Sequence, residues 1–198
     1  MNVTLLDYGA GNVTSVERAL RRLGANVFTA NRPEAIAEAE RLILPGVGHC
    51  GALITALDAH GLRQPLREAI ARGVNFLGIC LGLQALYESS EEAPGVPGLG
   101  ILPGCVARFQ GVFKVPHVGW SQLVLRPETR LFRGVADGSF VYYCHSFYGP
   151  VTAEACALTE YGQTFAAGME MNKLWAVQFH PEKSGEVGLK VLSNFLNL

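Results

Sequence analysis

The segment Gly78-Ile79-Cys80-Leu81-Gly82 sets a cysteine between two glycines where an apolar run gives way to a helical one. A strand that turns into a helix within one residue presents that residue's side chain at the rim of a sheet, and such a tight turn needs small neighbours. At a helix N-terminus, free N–H groups and the dipole favour thiolate over thiol, which suits a nucleophile. A small buried cysteine at a strand end is the plain alternative. A cysteine nucleophile needs a base, commonly an imidazole oriented by a third group. Gln178-Phe179-His180-Pro181-Glu182 offers both. His180 follows an apolar run, Pro181 fixes the backbone, and Glu182 can present a carboxylate from the same side of an extended segment. A third element, Pro45-Gly46-Val47-Gly48, follows another apolar run. Glycines on both sides of Val47 would let its peptides rotate as a unit, presenting the nucleophile with an N–H in one orientation and a carbonyl in the other. An ordinary glycine-rich turn is the alternative there. No phosphate-cradling GK[ST] or GxGxxG follows a strand, and Gly9-Ala10-Gly11-Asn12 has the wrong spacing for a dinucleotide loop.

For these residues to meet, the strands that carry them must run the same way to one rim. The first half of the chain has the required rhythm. Strands are expected at Val3–Leu6, Asn26–Phe28, Leu42–Leu44 and Val74–Ile79. Helices are expected after Asn12, which can cap one ended by Gly24, and at Pro33–Ala39, Ala52–Ala59, Pro65–Ala71 and Leu81–Glu88. All-apolar strands alternating with helices imply a parallel sheet covered on both faces. Glu91–Gly104, rich in Pro and Gly, reads as loop. Beyond it, Val106–Phe109, Gln122–Leu125, Phe140–Cys144, Ala155–Thr159, Phe165–Glu170 and Leu174–Phe179 read as short strands, partly antiparallel. Ser184 can cap a last helix with Val187, Val191, Leu192, Phe195 and Leu196 inward. The expected fold class is α/β: one domain over residues 1–198 with a central mixed, mostly parallel sheet flanked by helices.

Composition narrows the field further. With 198 residues, 49% hydrophobic and 17% charged, the chain can build a core and is not disordered. A net charge of −1 leaves no footprint for nucleic acid or an anionic membrane. The longest uncharged stretches, Leu42–Leu57 and Gly138–Ala153, fall short of the roughly 20 apolar residues a bilayer span needs. The N-terminus lacks a basic region and carries Asp7 where an apolar signal core would lie, so no secretory address is expected. Five cysteines without a CxxC pair point to a reducing cytoplasm rather than a disulfide frame. His49, His60, His117 and His145 show no metal-ligand spacing, and neither metal nor cofactor is expected.

The stretch GICLGLQ, with QFHPEKS downstream and PGVG upstream, resembles the class I (triad-type) glutamine amidotransferases. Within that class, Lys114-Val115-Pro116-His117-Val118-Gly119-Trp120 and Lys183-Ser184 are similar to the glutaminase subunit of imidazole glycerol phosphate synthase. The likeness runs the whole chain, from the opening Asp7-Tyr8-Gly9-Ala10-Gly11-Asn12 onward. It implies that Cys80 attacks the side-chain amide of glutamine, His180 carries the proton and Glu182 orients the imidazole. It also implies that backbone N–H groups of Leu81 and of Val47 or Gly48 hold the oxyanion. Gln84 and Glu92 would line the glutamine pocket, Glu92 facing the substrate ammonium, and Ser146 and Phe147 would edge it through their backbone. A solvated glutamate or a packed phenylalanine is the plain alternative for these four. The ammonia would pass to a (β/α)₈ cyclase subunit, with Asn12, Trp120, Tyr142 and Lys183 at the contact, although a Trp in this turn also suits a core. Two other readings remain. A glutaminase subunit for anthranilate or pyridoxal phosphate synthesis is opposed by HVGW and PEKS. A catalytically silent α/β module is opposed by His180 and Glu182.

Overall fold

Alternation of strand and helix in the first half of the chain follows its apolar pattern. The computed structural model describes residues 1–9 and 12–198; Ala10 and Gly11 of the opening DYGAGN stretch lie outside them. The elements run β1 (Asn2–Leu6), α1 (Val13–Arg22), β2 (Asn26–Ala30), α2 (Pro33–Ala37), β3 (Arg41–Gly46), α3 (Cys50–Ala59), α4 (Arg63–Ala71), β4 (Asn75–Cys80) and α5 (Leu81–Gln84). They continue with β5 (Tyr87–Ser90), β6 (Leu102–Arg108), β7 (His117–Gln122), β8 (Val124–Leu125), β9 (Phe140–His145) and β10 (Phe147–Tyr148). The chain closes with β11 (Ala155–Tyr161), β12 (Gln163–Met171), β13 (Leu174–Val177), a 3₁₀ turn at Pro181–Lys183 and α6 (Gly185–Leu196).

The main sheet has the order β2-β1-β3-β4-β13-β12-β11-β8. Its first five strands are mutually parallel, and the last three continue antiparallel. Alternate residues of each inner strand enter opposite layers of core. Leu77 and Trp175 pack with Leu20 and Phe195 on the α1 and α6 side. Phe76 and Leu44 pack with Leu53, Leu57 and Leu66 on the other. Registers align the three motifs. Gly46 of β3 pairs with Cys80 of β4, and Ile79 pairs with Val177 of β13, which leads directly to His180. All three segments therefore leave the carboxyl ends of neighbouring parallel strands, where open α/β sheets place their ligands.

Several elements differ from the sequence reading. The helix expected over Leu81–Glu88 stops after Gln84, and Tyr87–Ser90 becomes a strand parallel to β6. Tyr87 is fully buried there, its hydroxyl donating to the Pro150 carbonyl, and the backbone at Gly98 returns so close that a Cβ would collide with the Tyr87 carbonyl. Tertiary packing overrides a helical pattern only a few residues long. The expected loop at Glu91–Gly104 gives way to β6 from Leu102. The HVGW stretch, read as a turn, is strand β7, antiparallel to β9 with Trp120 opposite Tyr142.

Asn12 and Ser184 do stand at the helix starts, but neither side chain caps its helix. Asn12 Nδ2 donates to Glu182 Oε1 at 2.8 Å. Ser184 Oγ donates to the His180 carbonyl at 2.7 Å and accepts the Tyr142 N–H at 2.9 Å. Both are used to hold the site instead. Among the described residues no helix is long and apolar enough to cross a membrane.

The glycines around Cys80 are packing requirements. A Cβ on Gly82 would collide with the Leu44 carbonyl oxygen, and one on Gly78 would sit 2.7 Å from the Gly82 carbonyl oxygen. Gly82→Ala should therefore destabilise the fold by about 2–3 kcal/mol or more, lowering the unfolding midpoint by roughly 5–10 °C in calorimetry. A midpoint within 2 °C of the parent would show that β3 can yield.

Candidate active site

Cys80 occupies the junction of β4 and α5 with φ 54° and ψ −106°, a conformation L-residues rarely adopt. Strain of that kind persists only where surrounding packing over-determines it, and it aims Sγ away from the sheet. The residue is 5% exposed. Gln178 Nε2 donates to Sγ at 3.6 Å, and the His180 imidazole lines the same cavity as Cys80. His180 Nδ1 meets Glu182 Oε1 at 2.9 Å, and the same oxygen accepts the Asn12 amide.

Electrostatics follow from that geometry. Burial opposes the charged imidazole, but hydrogen bonds to Cys80 and Glu182, with their charges, outweigh it and raise His180 to about 10. Burial likewise pushes the Glu182 carboxyl up, yet bonding to His180 and Asn12 carries it below its ordinary value. The arrangement sets a protonated imidazole between the Cys80 sulfur and the Glu182 carboxylate, away from water. That is the charge state in which a cysteine can attack and a histidine can hand a proton to a leaving group.

A cavity of about 300 Å³ opens over this group. Its walls bring together Val47, Gly48, Cys80, Leu81, Gln84, Glu92, Ser146, Phe147, His180 and Lys183, every one a sequence candidate, and add Cys144 and His145. Among the described residues no cluster of three or more His, Cys, Asp or Glu gathers to hold a metal.

The glutamine amidotransferase class-I family matches this chain over residues 4–198. The chain belongs to the class-I glutamine amidotransferases. It is 44% identical to "Imidazole glycerol phosphate synthase subunit HisH" of Methanothermobacter thermautotrophicus, over 99% of this chain and 98% of that one. It is 45% identical to the protein of the same name from Thermococcus kodakarensis, over 99% of this chain and 100% of that one. The fold is also that of a glutamine amidotransferase crystal structure, with TM-score 0.77 and 20% identity over 98% of this chain and 97% of that one. A PurLQS structure from Thermotoga maritima matches with TM-score 0.75 and 18% identity, over 99% of this chain and 97% of that one.

In this amidotransferase the Pro45–Gly48 loop differs from the sequence picture of a peptide pair swivelling between two free glycines. Gly46 belongs to β3, and a Cβ there would lie 2.6 Å from Leu81 Cβ and 2.9 Å from the Gly82 nitrogen. It is small because the elbow touches it. Rotational freedom rests with Gly48, at φ +97° with open space around it. The Tyr8 hydroxyl, which sequence reasoning missed, donates to the Pro45 carbonyl at 3.1 Å.

Two other candidates are more engaged than their types suggest. Glu92 Oε2 accepts the Cys50 N–H at 2.7 Å, tying the start of α3 to the cavity wall. Gln84 Nε2 donates to the Phe147 carbonyl at 2.7 Å and to Gln178 Oε1 at 3.0 Å, so its amide protons face protein. Among the residues considered for a partner, Trp120 is 54% exposed and packs edge-on to Tyr142 at 6.0 Å, which excludes the core alternative. Lys183 Nζ lies 6.0 Å from the Tyr142 ring centre, and Lys183 also lines the cavity. Asn12 points the other way, to Glu182.

Two outcomes follow for stability. Cys80→Gly should be more stable than Cys80→Ala by about 1–2 kcal/mol in urea unfolding, because glycine accepts φ 54° without strain; equal stabilities would refute strain at the nucleophile. His180, raised to about 10, contributes stability that is complete below its unfolded value near 6.5 and lost as pH climbs through 10. The stability difference between the parent and His180→Asn should accordingly be larger at about pH 6 than at about pH 10, and a constant difference would deny the imidazolium.

Proposed function

We propose that this chain is the glutaminase subunit of an imidazole glycerol phosphate synthase, acting in the cytoplasm as one domain over residues 1–198 without a cofactor. The observation that carries the reading is the buried Cys80–His180–Glu182 group, with Cys80 and His180 opening onto a cavity walled by Glu92, Ser146 and Phe147 and Glu182 bonded to His180 behind them. The likeness to chains named as that subunit supports the assignment within the class.

The chemistry proceeds in two halves. With the thiol proton already on His180, the Cys80 thiolate attacks the carboxamide carbon of glutamine, and the carbonyl π-electrons move onto oxygen. His180 gives its proton to the nitrogen, the C–N bond breaks and ammonia leaves, so a thioester remains on Cys80. A water then loses its proton to His180 and attacks the thioester, and the C–S bond breaks to give glutamate and the restored cysteine. Glu182 fixes the imidazole and stabilises its positive charge without itself taking the proton. The Leu81 N–H, with that of Val47 or Gly48, receives the oxyanion. Glu92 faces the substrate ammonium with the carboxylate oxygen not bound to Cys50, while Gln84 holds the Ser146–Phe147 backbone edge. Ammonia in open water at neutral pH would be protonated and lose its nucleophilicity. Direct transfer to a (β/α)₈ cyclase subunit answers that, and Trp120, Tyr142 and Lys183, with Asn12 behind them, are the proposed contact.

Glutamate release from glutamine, with and without the cyclase and its nucleotide ligand, tests the assignment. Cys80→Ser should abolish it while the complex still forms and still turns over with ammonium salts at raised pH; loss of that bypass would break the division of labour. His180→Asn should lower turnover by orders of magnitude more than Glu182→Gln, and equal losses would give Glu182 a direct chemical role. The gate proposed at the Gly48 turn withholds one oxyanion donor in the isolated chain, which typically costs about a hundredfold to a thousandfold in turnover. Ligand-loaded partner should thus activate the glutaminase at least about a hundredfold. Gly48→Ala should blunt that activation, and a normal response would place the gate elsewhere.

A further inference from the structure

A continuous set of hydrogen bonds links β7 to the nucleophile, and each donor in it has one permitted direction. The Phe147 carbonyl can only accept. It is met by His145 Nδ1 at 2.8 Å and by Gln84 Nε2 at 2.7 Å. His145 therefore carries its proton on Nδ1, and its Nε2 accepts from His117 Nδ1 at 3.2 Å. His117 Nε2 then accepts the Ser121 hydroxyl at 2.9 Å. Stacking holds His117 as well, with ring centres 3.9 Å from Tyr161 and 4.8 Å from Tyr143. Burial keeps both imidazoles neutral, lowering His117 to about 4 and His145 to about 3.

On the other side of the same carbonyl, Gln84 turns its NH₂ inward and donates to Gln178 Oε1 at 3.0 Å. This leaves Gln178 no choice of rotamer for its amide. With the oxygen toward Gln84, Nε2 faces Cys80 Sγ at 3.6 Å. Gln178 is completely buried, so water cannot satisfy it in the reverse orientation. This N–H is the side-chain donor that the structure places in hydrogen-bond reach of Sγ.

We propose that Gln178 is a positioning residue for the nucleophile: its amide N–H, locked in direction by Gln84 and the Phe147 carbonyl, stabilises the Cys80 thiolate and keeps Sγ aimed into the cavity. The His117–His145 pair anchors the carbonyl on which that direction depends. The inference rests on the glutaminase reading for its catalytic consequence, but not for the thiolate itself.

The test is the pH dependence of Cys80 alkylation by iodoacetamide, in which a C–S bond forms and iodide leaves. It is followed by mass spectrometry on the peptide containing Cys80, because Cys105 and Cys144 are exposed thiols that the reagent also reaches. Gln178→Met keeps the volume and removes the donor, and should move the alkylation midpoint up by about one pH unit. Glutamate release in the complex with the cyclase should lose about tenfold in kcat, with KM for glutamine within about threefold. Gln178→Glu keeps the acceptor for Gln84 while setting a carboxylate oxygen against the sulfur, and should move the midpoint up further. This second variant decides the matter if Gln178→Met fails to fold. An unmoved midpoint in a folded variant overturns the proposal, as does a rise in KM with kcat and midpoint unchanged. Alkylation requires no glutamine, so a failure of the substrate assignment would leave the midpoint shift intact and would be seen separately.

Discussion

The site depends on one constraint: β4 must become α5 at Cys80, within a single residue. The cost is a backbone at φ 54°, worth about 1–3 kcal/mol for an L-residue. What holds it there is contact on every side. The start of α5 presses so near β3 that Gly82 meets the Leu44 carbonyl and Gly46 meets Leu81, while Gly78 leaves room for the Gly82 carbonyl behind. β3 and β13 flank β4 in register, with Gly46 opposite Cys80 and Val177 opposite Ile79. Once the elbow is fixed, the parallel order of the sheet delivers the other segments to the same rim.

A second demand comes from burying charge. The side chains of His180 and Glu182 are almost wholly withdrawn from water. Each needs partners, since an unpaired buried charge costs several kcal/mol. This need explains two residues that elementary helix chemistry would place otherwise. Asn12 and Ser184 stand at helix starts, where their side chains would ordinarily bond the first free N–H groups. Here Asn12 bonds Glu182, and Ser184 fastens the His180 backbone to Tyr142. The helix ends give up a local bond, and the charged pair gains fixed neighbours.

Much of this was legible in the residues. The parallel half of the fold follows from apolar strands alternating with helices, and the meeting of Cys80, His180 and Glu182 from motifs set at strand ends. The cavity walls match the residues implied by resemblance. What escaped did so for physical reasons. Tyr87–Ser90 carries a helical pattern continued from Leu81, and only burial of Tyr87 against distant Pro150 and Met169 makes it a strand. The HVGW stretch holds a glycine and an exposed Trp, which weaken a strand signature until β9 is placed beside it. Gly46 and Gly48 look alike in sequence, yet one is a close contact and the other a left-handed turn. Gln178 was visible inside its motif, but its role depends on the direction of an amide, which no linear pattern encodes.

The distribution of donors and acceptors constrains how such a cavity can recognise its substrate. Gln84 points both of its N–H groups at protein, and Glu92 has one oxygen tied to Cys50. His145 uses both ring nitrogens within the buried chain. The side chains lining the cavity are thus mostly committed before any ligand arrives, which reduces the rearrangement that binding requires. Under the proposed chemistry, discrimination falls to what remains: the second oxygen of Glu92, the backbone of Ser146 and Phe147, and the N–H groups at the elbow and the Gly48 turn. Only the last of these sits on a segment with rotational freedom. Regulation of this active site is therefore expected to act through the backbone of a loop, while the buried side-chain network stays as it is.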